Sequence, residues 1–230
     1  MLGLLLVRDE ITSVDLLIQE LWGDEPPRSA LTTLQTYIYH ARRMFDQEGF
    51  AVEGRNLLVT CPPGYQLLVD PSEVDVKVFE RLVHQGRDLL DQGKPETATV
   101  RLKEALDLWH GPALANITAG DVLKGYVTHL DEMRIRALEL RIEAEKKLGR
   151  TRELIPELRA LVTAYPLNEW FHGQLIDALF LSGRRAEALR AYQDLRKILD
   201  EQLGIEPTPE LQLLQLQVLG GAAVQLSRSA

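Results

Sequence analysis

Thr32, Thr36, Tyr39 and Arg43 are the side chains of this 230-residue chain whose types and spacing bear most on chemistry. At steps of four and three they fall on one stripe of a 3.6-residue helix. Two hydroxyls, a phenol and a guanidinium carry hydrogen-bonding groups on stems of graded length, a set suited to phosphates and base edges in a DNA groove. The chemistry is recognition rather than bond making. Taken alone, the same stripe is what a solvated helix presents, so the surrounding elements have to decide between the two.

The stripe belongs to a helix expected over Ser29–Phe45, with Leu31, Leu34, Ile38, Ala41 and Phe45 as its apolar side. Ser29 is placed to cap its start, and Pro26-Pro27 make the approach extended. Upstream, Met1 to Val7 reads as a turn or two of buried helix. Thr12 or Ser13 then caps a second helix through Leu21-Trp22, with Val14, Leu17, Ile18 and Leu21 facing inward and Gly23 as the stop. After Phe45 the pattern turns extended: Ala51 to Glu53, Leu57 to Thr60 and Tyr65 to Val69 are β-prone, separated by Gly54-Arg55-Asn56 and Pro62-Pro63-Gly64. Three helices followed by a hairpin make a winged helix, whose third helix enters the major groove. The hairpin tip, Arg55-Asn56, then reaches the backbone or the minor groove, or else the hairpin only packs.

From Val74 onward the pattern is helical, with helices expected over about 75–91, 96–109, 122–148, 152–164, 168–181, 185–203 and 208–219. Gly149-Arg150 and Gly183-Arg184 stand 34 residues apart, the period of a tetratricopeptide repeat. Ala178, Ala188 and Tyr192 supply the small residues and the aromatic that packed helix pairs use. Gly93 precedes Gly149 by 56 residues, so an earlier unit needs an insertion, placed in the loop 111–121. Repeats of this kind bury their faces only by stacking on neighbours. The fold class is therefore mainly α, an N-terminal winged helix followed by a tetratricopeptide-like helical domain. The expected domains are 1–70 and 74–219, with a flexible tail at 220–230.

Composition removes several classes of function. The net charge is −8, and residues 1–70 alone carry five basic against ten acidic side chains, so DNA contact must come from a local patch. Cys61 is the single cysteine and cannot form an internal disulfide, which fits a reducing, cytoplasmic setting. His40, His84, His110, His129 and His172 lack metal-ligand spacing. Gly86 and Gly93-Lys94 miss the spacing of a phosphate loop, and Pro95 stands where its hydroxyl belongs. Acidic pairs such as Asp131-Glu132 read as solvated helix surface. No apolar run approaches the roughly 20 residues of a membrane span, and MLGLLLVRDE lacks the marks of a secretory signal. No catalytic centre, metal or cofactor is expected.

The order winged helix then helical repeats resembles the Streptomyces antibiotic regulatory protein (SARP) family, which joins an OmpR-like DNA-binding domain to a bacterial transcriptional activation domain. The likeness is carried by SVDLLIQELWGDEPPRSALTTLQTYIYHARRMF at 13–45, PPGYQLLVDPSEVDVKVFERLV at 62–83, ALDLWHGPALANI at 105–117 and GRRAEALRAYQDLRKILDEQLGIEPTPELQLL at 183–214. The resemblance implies an activator that binds repeats near a promoter's −35 element, recruits RNA polymerase through its sigma and α subunits, and serves an antibiotic gene cluster. It makes Ser29–Phe45 the recognition helix and 54–65 the wing. Thr32, Thr33, Thr36 and Tyr39 become the base-edge or sugar contacts, and Arg28, His40, Arg42, Arg43, Arg55 and Asn56 the backbone contacts.

Two departures stand out. Relatives carry a small sheet before the first helix, whereas Met1 here falls inside that helix, so the sheet is missing or the chain is truncated. An uncovered first helix invites dimerisation or swapping, and a homodimer on repeat sites is a further expectation. The recognition helix is also poorer in arginine than is usual, offering His40, Arg42 and Arg43. The acidic N-terminal balance keeps a different class open, a helical-repeat interaction module that does not touch DNA by itself. A ligand sensor in the repeat groove rests on architecture alone.

Overall fold

The computed structural model describes residues 1–8, 10–50 and 57–220. Helix α1 (Leu2–Val7) leads to a two-residue strand β1 (Thr12–Ser13) and then to α2 (Val14–Trp22) and α3 (Ala30–Gln47). Strands β2 (Leu58–Cys61) and β3 (Gly64–Leu67) follow. Ser13 caps α2, its hydroxyl accepting from the Leu16 amide at 3.2 Å. Strand β3 is the middle of an antiparallel sheet ordered β1-β3-β2, with Thr12 opposite Tyr65 and Cys61 opposite Gly64. That register makes Pro62-Pro63 the turn of the hairpin. Gly64 is needed there because a Cβ would lie 1.9 Å from the Thr12 carbonyl oxygen. Arg55, Asn56 and the expected strand at 51–53 lie outside the described residues.

The remaining helices are α4 (Asp75–Asp91), α5 (Pro95–Asp107), α6 (Asp121–Lys147), α7 (Ile155–Ala164), α8 (Glu169–Leu181), α9 (Arg185–Leu203) and α10 (Pro209–Gly220). One turn recurs three times. Gly93, Gly149 and Gly183 follow α4, α6 and α8 at φ +71°, +76° and +76°, a left-handed backbone that glycine adopts without a Cβ penalty. After each glycine the next amide reaches back five residues, Lys94 to Leu89, Arg150 to Glu145 and Arg184 to Leu179. The repeat read from two glycines thus extends to a third, with the extra length taken up by the 108–120 segment and by a long α6.

By compactness the described chain divides into Met1–Arg141 and the part from Ile142 onward. In the first unit, Leu4, Leu5, Val7, Leu17, Leu34, Ile38, Leu58 and Tyr65 share one core with Leu123 of α6. Leu114, Ala119, Val122 and Tyr126 pack on its margin. The apolar cover expected from dimerisation or swapping is therefore supplied within the chain: Leu4 and Leu5 are each 1 % exposed. The core runs across 70–74, where the sequence reading places a domain boundary. In the second unit α8 is buried along Phe171, Leu175, Ile176 and Leu179, and pairs with α9 through Ala188, Tyr192 and Leu195. Asn168 caps α8 by accepting from the Phe171 amide at 3.2 Å.

Candidate nucleic-acid interface

Helix α3 has a narrow buried side, formed by Ala30, Leu34, Ile38 and Ala41. This corrects the sequence reading at two points. Leu31, expected in the core, is 49 % exposed because the packed stripe is turned toward Ala30, on its opposite edge. Ser29 is not a side-chain cap: its backbone already lies at φ −93°, ψ 10°, and the first turn closes through backbone bonds from Ala30 N to the Pro27 carbonyl and from Thr33 N to the Ser29 carbonyl.

The exposed side runs the length of the helix and brings Thr32, Thr36, Tyr39, His40 and Arg43 together. Tyr39 is 60 % exposed, its ring edge-on to His40 at 5.5 Å. The Thr36 hydroxyl donates to the Thr32 carbonyl at 2.9 Å, so its proton is committed and its lone pairs face outward. An outward acceptor suits a base amine, such as adenine N6 or cytosine N4. Thr33 is half-buried on one flank, and Arg28 is exposed in the approach to the helix.

Arg42 is placed differently. Its Nε donates to the Leu58 carbonyl at 2.8 Å, one Nη donates to the Thr60 hydroxyl at 2.7 Å, and the guanidinium centre lies 6.0 Å from the Tyr65 ring. It ties α3 to the hairpin, whereas its neighbour Arg43 is exposed. Because Arg42 touches β2, the flank that it shares with Leu31 and Gln35 is the side of α3 toward the hairpin. Gln35 is exposed there, one turn from both Leu31 and Tyr39. The sequence reading missed it by following the stripe opposite the apolar face. The available signal was its spacing, three residues after Thr32 and four before Tyr39, in a side chain that can bond adenine with two atoms. On the other flank Tyr37 stacks on Trp22 with ring centroids 6.4 Å apart and planes within 15°.

Among the described residues no group of three or more His, Cys, Asp or Glu side chains could hold a metal ion, and no helix is long and apolar enough to cross a membrane. The Cys61 thiol is free and half-buried.

A three-helix unit with a β-hairpin, its third helix carrying an exposed polar face, followed in the chain by helical repeats, defines the class of bacterial winged-helix transcription regulators. Residues 74–219 match the family model of the bacterial transcriptional activator domain. Regulatory protein DnrI of Streptomyces peucetius is 43 % identical over 91 % of this chain and 78 % of its own length. Regulatory protein AfsR of Streptomyces griseus is 34 % identical over 99 % of this chain, which spans 22 % of that longer protein. Mycobacterium tuberculosis EmbR, solved in complex with a low-affinity phosphopeptide, superposes with a TM-score of 0.87 at 32 % identity, covering 96 % of this chain and 58 % of EmbR. The chain belongs to the SARP family of transcription activators.

Proposed function

We propose that this protein binds duplex promoter DNA through α3 and activates transcription by holding RNA polymerase through contacts to its sigma and α subunits. Residues 1–70 serve as the DNA-binding part and 74–219 as the activating part. The observation that carries the reading is the exposed face of α3, polar from Thr32 to Arg43 and backed by fully buried Leu34. In this reading Thr32, Gln35, Thr36 and Tyr39 meet base edges, Leu31 meets thymine methyl groups, Thr33 reaches sugar, and Arg28, His40 and Arg43 meet phosphates. Arg55 and Asn56 remain backbone candidates, and two copies of the chain occupy repeated half-sites. The setting is the bacterial cytoplasm, and the target genes belong to an antibiotic cluster.

Few exposed cations lie on this helix, and acids stand at both of its ends, Asp24 and Glu25 before it, Asp46 in its last turn and Glu48 just after it. Autonomous affinity is therefore modest and strongly salt-dependent, and polymerase supplies a second anchor. Binding-site selection from random duplexes, followed by footprinting with and without polymerase, tests this. Gln35→Ala should relax discrimination at one position by about 1–3 kcal/mol, and Thr36→Ala should act at a neighbouring one. Unchanged selection and protection by both variants would remove α3 from the interface. The alternative, an interaction module that does not bind DNA by itself, is favoured if the chain shifts no duplex more than its shuffled control.

A further inference from the structure

The DNA reading above leaves unused a contact between α2 and the start of α6. Glu20, at the last turn of α2, is 6 % exposed. One carboxylate oxygen accepts from the Gly120 amide at 2.7 Å, and the other accepts from Val122 at 3.1 Å and Leu123 at 3.2 Å. The carboxylate therefore serves as the cap of α6, supplied from a hundred residues away. A buried carboxylate keeps its charge at tolerable cost only where such donors surround it, and the unpaired amides at a helix start carry the complementary partial charge. Gly120 completes the fit, since a Cβ there would stand 2.2 Å from the Glu20 carbonyl oxygen and 2.7 Å from its carboxyl carbon. Beside the cap, Leu123 enters the core that holds Leu17 of α2 and Leu34 of α3.

Resting on the DNA and polymerase reading above, we infer that Glu20 and Gly120 form a positioning latch. It fixes the recognition helix relative to α6, a helix of the 74–219 activating part, so that DNA and polymerase are engaged in a single register. Two weak contacts reinforce each other only when geometry allows both at once, and a loose joint lowers the effective concentration of the second. Glu20 touches neither partner and acts through the rigidity of the joint.

Glu20→Gln and Gly120→Ala, each made in the whole 230-residue chain, test the latch from its two sides, the first removing the charge and the second forcing the surfaces apart with the carboxylate retained. Three quantities are measured: hydrogen exchange at the amides of position 120, Val122 and Leu123, DNA affinity of the regulator alone, and the gain in affinity when polymerase is added. In both variants exchange at these amides should quicken about tenfold or more. Affinity alone should stay within about threefold, while the polymerase-dependent gain falls about tenfold. Unchanged exchange in both variants overturns the latch. Faster exchange with an intact polymerase gain, or affinity alone falling in step with the gain and with the melting temperature, shows a merely structural cap and also overturns it. A native protein that shows no DNA binding sinks the functional reading instead, and the exchange comparison still reports on the joint.

Discussion

Replacing Arg42 and Arg43 by alanine, one at a time, should separate an arginine that builds the interface from one that touches DNA. Arg42 makes two charge-assisted bonds to the hairpin, to the Leu58 carbonyl at 2.8 Å and the Thr60 hydroxyl at 2.7 Å. Bonds to a charged group contribute about 1.5–3 kcal/mol each when sheltered, and the Thr60 bond is exposed, so the pair comes to about 2 kcal/mol. For a chain of this size that is a fall of about 4–8 °C in Tm. Among the described residues Arg43 has no such partner, and Arg43→Ala should change stability by less than about 0.5 kcal/mol. The DNA readout runs the other way. Losing the phosphate contact proposed for Arg43 should flatten the dependence of log affinity on log salt by about 0.9, whereas Arg42→Ala should leave that slope alone. Thermal unfolding followed by circular dichroism, and binding isotherms over a salt series, give both numbers. If Arg42→Ala left Tm unchanged and flattened the slope, the hydrogen bonds to β2 would not be its role, and its place among the phosphate contacts would be restored.

Two further predictions concern the helical part. Burial pushes the His172 imidazole below the ordinary histidine value, against the opposing pull of its bond to the Pro166 carbonyl and of Glu169 and Asp194. The unfolded chain therefore takes up a proton first as pH falls, so the stability contributed by neutral His172 is complete above about pH 6.5 and is lost as pH drops from there toward the lower folded value. Melting curves over that range should show a decline that His172→Gln flattens, and a midpoint rising with acidification in the native protein would contradict the assignment. At the α4–α5 contact, a Cβ on Gly86 would lie 2.5 Å from Cγ of fully buried Leu102. Gly86→Ala should cost about 1–3 kcal/mol by overpacking and Leu102→Ala about 2–5 kcal/mol by leaving a cavity. Urea titration of the double variant should show less than the sum, because each change relieves the other, and strict additivity would refute the close contact.

The helices are legible in the sequence because their signals are local. Apolar period, a capping Ser13 and glycine stops place α2 and α4 to α10 within about three residues of their observed ends, and the spacing of Gly149 and Gly183 announces the shared turn. What escapes depends on the rest of the molecule. Leu31 and Ala30 sit on opposite edges of the same apolar stripe, and only the packed neighbours decide which edge is covered. Ser29 has the chemistry of a cap, but the chain enters α3 already turned, so backbone carbonyls reach the amides first. Strand β1 is two residues long and exists only because β3 lies beside it. Arg42 and Arg43 are indistinguishable as letters. The direction in which the Arg42 guanidinium turns is settled by the Leu58 carbonyl and the Thr60 hydroxyl, 16 and 18 residues away. On the candidate site, Thr32, Thr36, Tyr39, His40 and Arg43 are readable from helical phase, whereas Gln35 requires knowing on which side the hairpin lies.

The core shared by α1 to α3 with Leu114, Leu123 and Tyr126 bears on how such regulators can be recombined. The family match begins at residue 74, yet the first compact unit continues to Arg141. Inheritance and mechanics thus draw the boundary in different places. A chimaera that exchanges only residues 1–73 between relatives inherits a socket cut for another plug, with Glu20 facing foreign amides and the α1 leucines facing a foreign 114–126 segment. Grafts that carry this segment along keep the joint intact, which makes the stretch around Gly120 the natural companion of any transplanted DNA specificity.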